Sequence, residues 1–179
     1  MHYFGTILAL YIGIDIKIGG VIMTGNNNLF TKDLILLDYE ANSKEEVLRH
    51  MAGILEEKGY VKDTFYENLI KREGIYPTGL KANDIEIAIP HTDSIHVKKG
   101  AIFFARLKNP VVFKEMGTGE NDVNVKLVFM LVIHDPKAQV NTLSNLMGIF
   151  SQKERLEILN TSNDLDEIYK NLSELINQN

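Results

Sequence analysis

Residues 127–133, Leu-Val-Phe-Met-Leu-Val-Ile, are seven apolar side chains with no polar break. A strand with one solvated face alternates apolar and polar residues. One that is apolar at every position needs cover on both faces. The run therefore predicts the central strand of a sheet held between two helical layers. Helical patterns occur on both sides of it in the chain. Ser43-Lys-Glu-Glu46 reads as a capping box, in which the serine oxygen takes the Glu46 amide. Val47, Leu48, Met51, Ile54 and Leu55 then recur at helical spacing until Gly59 stops the helix. A second helix is expected over 61–72, with Phe65, Leu69 and Ile70 inward and Gly74 as its stop. After the central run, Asp135-Pro136 is a cap followed by proline at the first helical position. Val140, Leu143, Met147 and Phe150 mark the inner stripe of that helix, and Ser151-Gln-Lys-Glu154 is a second capping box. Leu165, Ile168, Tyr169, Leu172, Leu175 and Ile176 give a last amphipathic helix. Shorter strands are expected at 33–39, 85–89 and 101–105, the third broken by Asn109-Pro110. Strands and helices interleave, which predicts an α/β fold with a sheet covered on both faces.

Composition narrows the functions open to such a fold. A chain of 179 residues with 45% apolar content suits one domain with a sizeable core. A net charge of −5 gives no nucleic-acid footprint. The absence of cysteine excludes disulfides, thiolate metal sites and a cysteine nucleophile. The first 22 residues are apolar but interrupted by Asp15 and Lys17, and the unbroken run at 7–14 is too short to span a bilayer. No Lys or Arg precedes the run and no small-residue cleavage site follows it, so a signal peptide is not expected. Met23 leads into the turn-rich spacer Thr-Gly-Asn-Asn-Asn. The functional domain is expected at 29–179, with 1–28 an N-terminal extension. The alternative is an ordered extra strand or hairpin at the sheet edge.

Two strand ends deliver histidines. In the stretch Ile-Glu-Ile-Ala-Ile-Pro-His, Pro90 stops the strand and holds His91 where the chain reaches the surface. Ile133 is followed by His134 in the same way. If the two strands are parallel neighbours, both histidines lie at one edge of the sheet, where α/β proteins place ligands. A histidine there can be a base, a metal ligand or a nucleophile, or simply a solvated strand-end residue. The residues also allow a metal-dependent hydrolase in which His91, Asp93, His96 and His134 supply the ligands, although this spacing matches no established metal motif.

Arg72-Glu73, Pro77-Thr78-Gly79-Leu80 and Ile87-Ala88-Ile89-Pro90-His91-Thr92 resemble, in that order, the mannitol/fructose-type (type 2) enzyme IIA domain of the bacterial sugar phosphotransferase system. The similarity is greatest to the galactitol-type branch. Pro110-Val-Val-Phe113, Met116-Gly117, Phe129-Met-Leu131 and Gln139-Val140 with Leu143 and Leu146 also fit, so the resemblance spans roughly residues 29–176. It implies a three-layer α/β/α sandwich around a small mixed sheet. It also implies a phosphoryl carrier in which His91 takes phosphate from the phosphocarrier HPr and passes it to a cysteine of a cognate IIB protein, and through IIB to a membrane IIC. Neutral imidazole suits both half-reactions, as nucleophile and as leaving group.

By the same resemblance Arg72 holds the phosphoryl oxygens with its fork of donors, and Glu73 beside it positions Arg72. Thr92 either gives a donor to the phosphoryl group or holds the turn. The mannitol and fructose types carry a second histidine where this chain has Gln139, which forms hydrogen bonds but does not ionise. His134 or His96 is the candidate substitute. The resemblance implies no cofactor, a cytoplasmic location and no membrane insertion. A regulatory relative, phosphorylated but not feeding a sugar, is the alternative within the same class.

Overall fold

The computed structural model describes residues 16–18, 21–23 and 29–174. Strands β1 (Ile16–Ile18) and β2 (Val21–Met23) pair antiparallel in a small sheet of their own. The apolar run at 7–14, the spacer at 24–28, Leu175 and Ile176 lie outside the described residues.

The main sheet holds β3 (Ile35–Tyr39), β4 (Gly79–Ala82), β5 (Ile85–Ala88), β6 (Ala101–Lys114) and β7 (Asp122–Val132), in the spatial order β3-β6-β7-β5-β4. The unbroken apolar run lies on β7 and is central as expected, antiparallel to β6 and parallel to β5. Its alternate side chains point to opposite layers. Val128, Met130 and Val132, with Phe103 and Ala105 of β6, pack against α1 (Lys44–Glu57) and α2 (Phe65–Ile75) through Leu48, Met51, Leu55 and Leu69. Leu127, Phe129 and Leu131, with Ile102 and Phe104, pack against α3 (Pro136–Phe150), α4 (Lys153–Thr161) and α5 (Leu165–Ser173) through Leu146, Phe150, Leu156, Leu159, Ile168 and Leu172. Each such fully buried side chain contributes about 1.5–3 kcal/mol. The α/β/α sandwich with a mixed sheet is thus the observed architecture.

Several local expectations are corrected. Residues 32–34 form a 3-10 turn, and β3 sits at the sheet edge with its side chains only half-buried. Helix α2 begins at Phe65 rather than 61, because Val61 is taken up by a bridge to Val97, and it runs through Gly74 to Ile75. Asn109-Pro110 does not break β6. The ladder shifts register between Arg106 and Val111, and the proline sits exposed in that bulge, where no ladder donor is needed. A strand without a sequence expectation, β4, forms a hairpin with β5 across Asn83-Asp84 with Asn83 at φ 56°. On α3 the inward residues are Leu143, Leu146 and Phe150, whereas Val140 is 68% exposed and Met147 37%.

The caps are mixed as well. Ser43 Oγ accepts from the Glu46 amide at 3.2 Å, while Glu46 reaches back to the Asn42 amide instead of the cap residue's own. Asp135 Oδ1 accepts from the Lys137 amide at 2.9 Å. The second box does not form: Ser151 Oγ donates to the Gly148 carbonyl, and the N-cap of α4 is Gln152. Opposite Leu127 on β6, buried Arg106 binds Asp38 through Nε and Nη2 at 2.9 and 3.0 Å and donates to the Ser162 carbonyl. This ties the edge strand to the end of α4.

Candidate functional site

His91 stands three residues beyond β5, where the proline-stiffened chain still tracks β7. His91 bridges Leu131 in parallel, and the Leu131 amide donates to the Pro90 carbonyl at 3.0 Å. Pro90 itself is buried and His91 half-buried. The ring is held at both nitrogens. Nδ1 lies 2.8 Å from the Ile89 carbonyl oxygen, and Nε2 lies 3.0 Å from Nη2 of Arg72. A carbonyl only accepts and a guanidinium only donates. The proton therefore sits on Nδ1, and the lone pair on Nε2 points toward Arg72.

The electrostatics keep this ring neutral. Burial pulls the His91 pKa below the ordinary imidazole value and the Arg72 charge adds to the effect, while the bond to Ile89 and the Asp93 carboxylate oppose it. Arg72 comes from the last turn of α2, and its guanidinium lies 5.4 Å from the centre of the Tyr76 ring. Its Nε is buried with no hydrogen-bond partner among the described residues. A cavity of about 200 Å³ beside it is lined by Asn68, Lys71, Ile75, Tyr76, Thr92 and Asp93. A cation with a spare donor, next to a neutral imidazole lone pair and an open volume, suits a tetrahedral anion.

The other expected residues divide. Thr92 is buried, and its carbonyl accepts from Gln139 Nε2 at 3.3 Å, so Gln139 reaches the loop beside His91. His134 does not meet His91. The two strands are parallel neighbours as anticipated, but His91 is level with Leu131, three residues short of His134. His134 is exposed and lines a different cavity of about 330 Å³ with Leu29, Gly100 and Thr142. His96 is also engaged elsewhere, its Nδ1 2.8 Å from Thr64 Oγ1 at the start of α2. Among the described residues no three His, Cys, Asp or Glu side chains gather to hold a metal ion. The hydrolase set of His91, Asp93, His96 and His134 is therefore not assembled: both His91 nitrogens are occupied, and a cation already faces the lone pair.

Glu73 does not bond Arg72. It is 1% exposed, accepts from the Thr78 amide at 3.0 Å and from Thr78 Oγ1 at 2.8 Å, and burial raises its pKa against these two bonds. Sequence reasoning missed Thr78 and the inward direction of Glu73. The signal was available, since Phe65, Leu69 and Glu73 recur every four residues on one helix face.

A mixed five-stranded sheet between two helical layers is the fold of the mannitol-type enzyme IIA domains. The sequence model of the phosphoenolpyruvate-dependent sugar phosphotransferase system EIIA 2 family matches residues 28–175. The chain belongs to that family. It is 39% identical over 118 residues to the galactitol-specific EIIA component of Escherichia coli strain K12, covering 66% of this chain and 78% of that one. The structure of the Escherichia coli mannitol enzyme IIA in complex with phosphorylated enzyme IIB matches in fold, with TM-score 0.67 and 23% identity over 81% of this chain and 97% of that one. The nitrogen regulatory protein IIA-Ntr of Neisseria meningitidis matches with TM-score 0.67 and 30% identity, over 80% and 96%. No helix among the described residues is long and apolar enough to cross a membrane.

Proposed function

We propose that the chain is a phosphoryl carrier of a galactitol-like phosphotransferase system, accepting phosphate from HPr on Nε2 of His91 and delivering it to a cysteine of the cognate IIB protein. The observation that carries this reading is the tautomer. With Nδ1–H bonded to Ile89, the free lone pair is on Nε2, under Arg72. In the first half-reaction that lone pair attacks phosphorus in line, the N–P bond forms, and the donor's bond to phosphorus breaks. Arg72 moves from the lone pair to the phosphoryl oxygens as their charge arrives. The positive charge left on the ring is met through Nδ1–H by the Ile89 carbonyl. In the second half-reaction the IIB thiolate attacks phosphorus and the electron pair returns to Nε2. His91 neither gains nor loses a proton in either step. A second ionisable histidine is therefore unnecessary, which is consistent with Gln139 in that place.

Both partners must reach one imidazole in turn, so their contacts should be small, below about 1,200 Å². Exposed apolar side chains adjoin the site in the chain: Ile75 and Tyr76 after Arg72, Ile95 after His91, and Val140 beside Gln139. They supply the docking surface in this reading. The likeness to IIA-Ntr favours one alternative, a regulatory phosphoprotein. Incubation with phosphoenolpyruvate, enzyme I and HPr, followed by mass spectrometry, tests the carrier role. The expected result is one phosphate on His91 that moves to IIB. Phosphate that stays on His91 in the presence of the galactitol-type IIB favours the regulatory reading, and an unphosphorylated His91 overturns both. Residues 29–179 are proposed to be the working domain, with residues 1–22 dispensable.

A further inference from the structure

We infer that Glu73 is the positioning residue for His91, fixing through Thr78 and Ile89 the tautomer and aim of the ring that Arg72 holds from the other side. This inference rests on the carrier reading for its kinetic consequence, but not for its structural one. A carboxylate at 1% exposure loses several kcal/mol of hydration, and buried acids are normally retained with a cation. Among the described residues Glu73 has no salt-bridge partner, and both its oxygens go to a single residue, the Thr78 amide and hydroxyl.

Thr78 then passes the constraint on. Its carbonyl accepts from the Ile89 amide at 3.2 Å, extending the β4–β5 ladder by one step beyond the Gly79–Ala88 pair. The Ile89 carbonyl accepts from His91 Nδ1 at 2.8 Å. The loop has no slack on its other side. The Met116 amide donates to the Gly79 carbonyl at 2.7 Å, and Gly79 packs so tightly on β6 that an added Cβ would lie 2.7 Å from the Lys114 carbonyl oxygen.

Two consecutive residues of α2 thus address the two ring nitrogens. Arg72 reaches Nε2 directly, and Glu73, about 100° around the helix, reaches Nδ1 through two residues of backbone. The consequence is chemical. An unconstrained imidazole samples both tautomers and several ring angles, so either nitrogen can be the nucleophile. Locking Nδ1–H onto Ile89 leaves Nε2 alone to react, in a fixed line.

The test uses the full chain with 15N-labelled histidine at about pH 8, where the free imidazole is neutral. Wild type should give a protonated Nδ1 and an unprotonated Nε2 for His91. Glu73→Ala should mix the tautomers and slow phosphoryl transfer from phosphorylated HPr roughly tenfold to a hundredfold, the penalty expected for a small misalignment. Glu73→Gln should restore both, because its amide oxygen can accept from the Thr78 amide and its NH2 can donate to Thr78 Oγ1. Thr78→Val, which removes one of the two bonds, should shift the tautomer in the same direction by less, and Thr78→Ser should reverse it. A folded Glu73→Ala protein with the wild-type tautomer overturns the inference. If Glu73→Ala does not fold, an unchanged tautomer in Thr78→Val does so instead. Wild type that takes no phosphate removes the carrier reading while the tautomer measurements still decide this one.

Discussion

Replacing Arg72 with alanine should slow phosphoryl transfer while leaving the fold in place, and the structure sets both magnitudes. In the resting protein the guanidinium donates to Nε2 of His91 at 3.0 Å. That bond must break before Nε2 attacks, so its loss frees the nucleophile by about 1 kcal/mol. Against this, the transition state loses the cation that follows the phosphoryl group. Among the described residues Nε has no hydrogen-bond partner at rest, and Nη2 is released by the attack, so two donors become available. Charge-assisted bonds contribute about 1.5–3 kcal/mol each. The net loss is about 2–5 kcal/mol, and one decade in rate is about 1.4 kcal/mol. Arg72→Ala should therefore slow transfer more than tenfold. Arg72→Lys should recover only part, because a point charge replaces a fork. Stability should fall by about 1 kcal/mol, a Tm shift of about 2–4 °C at this chain length. Rapid-quench transfer from phosphorylated HPr, with melting curves on the same samples, measures both. Unchanged rates in Arg72→Ala would refute the reasoning and point to another cation, such as Lys71 in the same cavity. A collapse in Tm would make Arg72 a structural residue.

Three further outcomes are expected. His91→Gln should fold with a loss of about 1 kcal/mol, since glutamine keeps part of the bonding of a half-buried ring, and should accept no phosphate in the mass-spectrometric assay. Gly79→Ala should cost about 1–3 kcal/mol in urea unfolding, because the new Cβ meets the Lys114 backbone carbonyl, which cannot rotate away; an unchanged midpoint would mean that β4 shifts freely. A chain beginning at Met23 should take phosphate at the full-length rate, and misfolding of that chain would place the N-terminal residues in the core.

What could be read from the sequence was whatever a local pattern states without help. The apolar run at 127–133 required two covering layers, and Pro90 required the strand to end beside His91. Lost were the features decided by distant partners. Pro110 was expected to end a strand, but a bulge against β7 absorbs it. Val140 and Met147 fit a helical stripe, yet α3 is rotated so that Leu146 and Phe150 face inward. The tautomer of His91 depends on a carbonyl two residues back and on an arginine from another helix, and no spacing rule encodes that pair. Glu73 was assigned to Arg72 because the two are neighbours in the chain. Consecutive helical residues point about 100° apart and do not meet, so the carboxylate binds Thr78 instead.

The pH dependence follows from the same two contacts. Burial and Arg72 hold the His91 pKa below the ordinary imidazole value of about 6.5, so between that value and the depressed one the unfolded chain binds a proton that the folded chain does not. More protons on the unfolded state means that stability rises with pH across this window. This group's contribution is thus complete above about 6.5 and is lost as pH falls toward the depressed pKa. Transfer has the same sign, since only the neutral ring is a nucleophile. Its acid limb should lie below the ordinary histidine value. The charges around the ring separate the causes. Arg72 lowers the pKa, so Arg72→Ala should move the acid limb up; Asp93 raises it, so Asp93→Asn should move the limb down. Titration of the His91 ring protons by NMR, alongside transfer rates at each pH, reads both displacements. Opposite shifts support electrostatic control of a neutral nucleophile by Arg72 and Asp93. A wild-type midpoint above the ordinary value would mean that the ring is charged at rest, and a charged ring has no lone pair for phosphorus.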